Sequence, residues 1–154
     1  MKYIFLLIIT ILIGMNAYSQ GSADVRVTNV RSLSFNNLLP GITSAVATTS
    51  ANAGKFTIDI RKNLTLAVTF TLPSYLTSGA NNLPVTFTAT KSTNSNDGTL
   101  GTSFNPYSGT TITRNNAGTR NWYLRLGGTI QTPTAQKGGN YTGSIILTLS
   151  FIGN

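Results

Sequence analysis

From Val25 onward, apolar residues in this chain recur at every second position, with almost no trace of a three-to-four residue period. A period of two is the signature of a strand with one face in the core and one in water. The stretch Tyr141 to Asn154 shows it most clearly. Ile145, Leu147, Leu149 and Phe151 fall on one face, and Ser144, Thr148 and Ser150 on the other, with Ile146 and Ile152 as apolar exceptions. Standing at the end of the sequence, such a strand takes its second neighbour either from earlier in the chain or from another polypeptide. That choice separates a self-contained domain from an assembling subunit.

The same alternation marks earlier segments. Val25, Val27, Leu33 and Phe35 suggest a first strand with a slip near Asn29-Val30, and Ala45 to Thr48 a weak one. Phe56, Ile58 and Ile60 alternate with Thr57 and Asp59. Leu64 through Leu72 alternate in turn, and Arg61-Lys62-Asn63 is short enough to join the two as a hairpin. Val85, Phe87 and Ala89 follow Pro84, Ile112 centres a short strand, and Trp122, Leu124, Leu126 and Ile130 share a face. Gly127-Gly128 inside that last run suggests a bulge or a close backbone approach. Polar segments at Asn36–Ser44, Ser92–Ser108, Asn115–Thr119 and Thr132–Asn140 separate the strands. Eight or nine strands divided by turn clusters predict an all-β, antiparallel sandwich. Its inter-sheet core is expected from Phe56, Ile58, Leu66, Val68, Phe70, Phe87, Trp122, Leu124, Leu126, Ile145, Leu147 and Leu149, which share parity on their strands.

The N-terminus reads as an export signal. Lys2 precedes an almost purely apolar run from Ile4 to Met15, and Ala17-Tyr18-Ser19 offers small residues for cleavage after Ser19. The run is too short for a membrane span. The organisation expected is a signal at residues 1–19 and a single domain at 20–154, destined for the periplasm, the cell surface or the medium. No Cys follows the apolar run to take a lipid.

Composition narrows the chemistry. The chain has no Cys, so the fold stands without disulfides. It has no His and no Glu, and its only acids are Asp24, Asp59 and Asp97. The common general bases, thiol nucleophiles and zinc ligands are therefore largely missing, and neither an enzyme nor a metal or cofactor site is expected. Asp97 sits in Asn94-Ser95-Asn96-Asp97-Gly98, where the glycine comes one place late for a calcium loop and no Glu closes it. Of eleven basic residues, ten remain once Lys2 leaves with the signal, and three acids bring the mature net charge to +7. These cations are scattered along the sequence without a run longer than Arg61-Lys62, which argues against nucleic acid and suits attraction to anionic surface polymers. Tyr123, facing away from Trp122, is a surface candidate for stacking on sugars.

Several stretches together carry a resemblance. Tyr123-Leu124-Arg125-Leu126-Gly127-Gly128-Thr129-Ile130, Ala135-Gln136, then Gly139-Asn140-Tyr141-Thr142-Gly143 and the alternating strand look like the end of a bacterial secreted domain family of unknown function. Leu33-Ser34-Phe35 and Lys55-Phe56-Thr57-Ile58 fit its beginning. That family is similar to spore coat U and archaic chaperone–usher pilin domains. The chain departs at Asn36, where the family has Gly, and lacks the cysteines of many spore coat U members.

The resemblance implies an immunoglobulin-like sandwich left incomplete by one strand. A periplasmic chaperone, and then a copy of the chain or a related subunit, would supply the missing strand by β-augmentation. On that reading Tyr141, Ile145, Leu147, Leu149 and Phe151 belong to the assembly strand, and Val25 and Val27 to a candidate donor segment. The alternative is a self-contained secreted sandwich that binds a glycan or other surface ligand through Ser92–Ser108 and Thr132–Asn140.

Overall fold

A computed structural model describes residues 24–93, 101–115 and 120–153. The expected signal segment, the turn at Asp97-Gly98 and most of the turn at Asn115–Thr119 lie outside them. The described residues form ten strands: β1 (Val25–Arg31), β2 (Thr43–Val46), β3 (Gly54–Ile60), β4 (Leu64–Thr71), β5 (Tyr75–Ser78), β6 (Asn81–Ser92), β7 (Thr102–Phe104), β8 (Thr110–Arg114), β9 (Asn121–Gln131) and β10 (Ile146–Gly153). All pairings are antiparallel. The chain is an all-β, antiparallel sandwich.

The strands form two sheets. The larger has seven strands in the order β1-β3-β9-β6-β5, with β2 added on β9 and β7 on β6; the smaller has three, β10-β4-β8. β6 covers one edge of β9 from Tyr123 to Ile130, while β3 and β2 share the other. Even-numbered residues of β3 and β9 and odd-numbered residues of β6 turn inward. Phe56, Ile58, Leu124, Leu126, Val85 and Phe87 therefore meet Leu66, Val68 and Phe70 of β4. The Phe56 and Phe70 rings lie 5.9 Å apart, joining the two layers at β3 and β4. Gly127-Gly128 is a close approach rather than a bulge, because the β9–β6 register runs through it unbroken. A Cβ on Gly128 would sit 2.8 Å from the Thr86 carbonyl oxygen and 3.1 Å from the Phe35 ring.

Three local expectations are corrected. Arg61-Lys62-Asn63 does not close a hairpin, since β3 pairs with β1 and β9 while β4 pairs with β10 and β8. It is a corner carrying the chain from one sheet to the other. The Arg61 amide donates to the Asp24 carbonyl (2.7 Å), and Lys62 pairs with the Asp24 carboxylate at 2.8 Å. The first strand ends at Arg31, after a register shift between Asn29 and Arg31. Leu33 and Phe35 lie beyond it in a strandless segment, yet both are buried core residues. Trp122 and Leu149 are only partly buried against the core. Trp122 is held at the sandwich margin, where its indole donates to the Thr113 carbonyl (3.3 Å).

Candidate assembly edge

Edge strands expose unpaired backbone groups, and folded proteins usually blunt them with charge, proline, bulges, shortness or a covering side chain. Most edges here are treated that way. β1 carries Arg26 and Arg31 and a register shift. β5 and β7 have four and three residues. Between them on β6, the Phe87 amide donates to the Tyr107 hydroxyl (3.0 Å). β8 is closed by side chains of the large sheet. Lys91 Nζ donates to Thr110 Oγ1 and the Thr111 carbonyl, both at 2.7 Å, and Trp122 takes the Thr113 carbonyl.

β10 is the exception. It pairs with β4 from Ile146–Thr71 to Phe151–Leu66, and among the described residues no strand pairs with its other edge. Its eight residues include no charge and no proline. Burial along its inward parity falls away: Ile145 is 0% exposed, Leu147 3%, Leu149 partly buried and Phe151 69%. Ile152 is 55% exposed beside it. The first half of the strand is ordinary core; the second is apolar surface.

Tyr141 sits before this edge rather than on it. It is buried, its hydroxyl donates to the Lys137 carbonyl (2.8 Å), and Gln136 Nε2 donates to that hydroxyl. Thr142 forms a two-way backbone bridge with Thr77 of β5 (2.8 and 3.0 Å), which fixes the angle at which the chain enters β10. Gly143 allows the closure: a Cβ there would lie 2.8 Å from Leu76 Cδ2. Val25 and Val27 lie on β1, opposite Ile60 and Ile58 of β3 and half-buried against the core. In the single chain the candidate donor segment is thus a strand of its own large sheet.

Other sequence candidates fall elsewhere. Tyr123 is on the outer face of the large sheet with Lys55 Nζ 5.5 Å above its ring. Asp59 accepts from Arg120 Nε and from Arg120 Nη2 (2.8 Å), with Arg61 Nε at 3.5 Å. Arg120's hydrogen bonds hold the Asp59 carboxyl below its ordinary range. Residues 94–100 of the Ser92–Ser108 loop are outside the described residues. Lys91 is a residue that the sequence reading missed. Lys91 follows Val85, Phe87 and Ala89 at the same parity, and an inward-pointing lysine at the end of an apolar face is itself a signal of edge protection.

No family model matches the chain, and no curated protein matches it. The spore coat U resemblance read from the sequence gains no support from either comparison. Among solved structures it is similar to a chain from the structure of a chaperone–tip adhesin complex described as vital for activation of CFA/I fimbriae biogenesis. Identity is 16% and the TM-score 0.49, over 84% of this chain and 43% of the other. This chain spans less than half the length of that one. A match at this level transfers no function.

Proposed function

We propose that this protein is an exported, non-enzymatic, pilin-like structural subunit that accepts a strand on the free edge of β10. The observation that carries the reading is the contrast within β10. Its far edge has no strand partner among the described residues and carries no charge, and its inward side chains pass from fully buried to exposed along its length. A strand added there would extend the small sheet, satisfy the edge backbone and cover Leu149, Phe151 and Ile152. A periplasmic chaperone is the fitting first occupant, because an uncovered edge of this kind aggregates. A neighbouring subunit is the lasting one. If β1 of that neighbour is the donor, Val25 and Val27 must first leave Ile60 and Ile58, so exchange is slow and needs an escort.

The test is sedimentation of the mature chain over a wide concentration range, beside the double variant Phe151→Lys/Ile152→Lys. Both residues are exposed, so the variant should melt as the parent does. The parent is expected to form oligomers of graded length, and the variant to remain monomeric. A parent that stays monomeric at every concentration, alone and with a chaperone supplied, overturns the reading.

A further inference from the structure

The sequence of β10 is close to a palindrome. It runs Ile146, Leu147, Thr148, Leu149, Ser150, Phe151, Ile152, and about Leu149 each residue is matched in kind by the one equally far on the other side. Leu147 answers to Phe151, Thr148 to Ser150, and Ile146 to Ile152. The two apolar exceptions to the alternation are therefore each other's counterparts. An antiparallel pair sets opposite residues on the same face. Two copies of β10 paired about a two-fold axis at Leu149 thus set apolar against apolar and hydroxyl against hydroxyl at every position. Neighbouring registers do not. A centre at Thr148 sets Ile146 against Ser150, and a centre at Ser150 sets Thr148 against Ile152. A centre between residues turns the inward face of one copy against the outward face of the other.

We infer that two copies of this chain pair through their β10 edges into a two-fold dimer, which holds the edge until a donor strand arrives. The inference rests on the reading that the far edge of β10 accepts a strand, and adds which strand takes it first. The edge suits a second copy. It carries no charge on a chain of net charge +8, so two like-charged molecules meet there without bringing cations into the joint. Val25 and Val27, the candidate donor positions, are engaged with Ile60 and Ile58, whereas a second β10 is already extended and needs no unpairing. The joined sheet runs β8-β4-β10-β10-β4-β8, an isologous contact with both large sheets on one side of it. On its inner face Leu149 meets its own counterpart, and Phe151, 69% exposed in the single chain, comes opposite Leu147 of the second copy. The ladder of β10 with β4 is regular to Phe151 and shifts before Gly153, so contacts between Ile146 and Ile152 close the joint at its two ends. A joint of one eight-residue strand is smaller than the roughly 800 Å² per partner of a standard interface, so the dimer is weak and gives way to a chaperone or a donor.

The chain has no Cys, so introduced cysteines report contacts between copies without background. Thr148→Cys and Ser150→Cys lie at exposed positions of β10, and Thr111→Cys, exposed on β8, is the control. In the inferred dimer Thr148 of one copy stands directly opposite Ser150 of the other, while like positions are diagonal neighbours about 7–8 Å apart. Disulfide formation under mild oxidation should be at least about fivefold higher in an equal mixture of the Thr148→Cys and Ser150→Cys chains than in either chain alone, and no higher than background in Thr111→Cys. Equal yields from the mixture and the single chains, or from the β8 control, would overturn the register and the dimer with it. The unaltered chain supplies a second measurement: sedimentation should pass through a species of twice the monomer mass before any longer one. Longer species without that step, and without a cross-link between positions 148 and 150, would overturn the dimer and leave strand acceptance at β10 standing. No association by either measurement would overturn both.

Discussion

The two edges of the three-stranded sheet flank the same central strand and are treated in opposite ways. On β8, Lys91 and Trp122 reach across from the large sheet and occupy the Thr111 and Thr113 carbonyls. On β10 no strand among the described residues pairs with the far edge, and apolar side chains stand exposed along its second half. An edge left open by poor packing would be open on both sides. Here one side is met by a half-buried lysine and an indole, and the other carries neither charge nor proline. On the proposed reading, the asymmetry leaves the small sheet one edge at which a strand can be added.

The largest effect expected is inside β10. Leu147→Ala should cost about 2–5 kcal/mol in urea denaturation, because Leu147 is 3% exposed in the inter-sheet core. A loss of a few tenths would move the open region back to the strand's start and erase the distinction between its halves. Next comes the sealed edge. Lys91→Met should cost about 1 kcal/mol and leave the Thr111 carbonyl without its donor. It should also raise self-association in sedimentation. If it does not, the lysine is a packing residue and β8 is closed by other means.

Phe151→Ala should fall within about 0.5 kcal/mol of the parent in the monomer, as expected for an exposed side chain. A larger loss would show that Phe151 is covered in solution. The smallest effect belongs to Asp59. Its carboxyl titrates lower in the folded chain than in the unfolded one, so its stabilising contribution is present above the ordinary carboxylate range. That contribution is lost as pH falls through the depressed value. Melting temperature should drop slightly on acidification, and Asp59→Asn should remove that part of the slope while leaving both edges of the small sheet unchanged.

Alternation was enough to read the strands that build the two layers, since Phe56–Ile60, Leu66–Phe70, Val85–Ala89 and Leu124–Ile130 each need one buried face. It failed where period and pairing part company. Leu33 and Phe35 alternate as a strand would, yet they fill the core from a segment with no ladder, against Gly54 and Gly128. β5 and β7 are too short and polar to leave a pattern, and exist because the far edge of β6 offers them partners. A three-residue connection has the same length whether it folds back in one sheet or turns into another, so the corner at Arg61–Asn63 was invisible to spacing. The candidate edge was half legible. The parity of Ile145 to Phe151 was plain, but the point where burial stops depends on what stands opposite, and no local sequence records that.

That corner has a mechanical meaning. β4 lies between β10 and β8 and continues through Arg61–Asn63 into β3, which lies between β1 and β9. A pull along β10 loads its ladder with β4 in shear, so the bonds from Ile146–Thr71 to Phe151–Leu66 share the force instead of opening one after another. The force then passes through three residues into an interior strand of the large sheet, pinned at the turn by Lys62 on Asp24. Tension applied at the free edge is thereby delivered to the best-anchored part of the molecule.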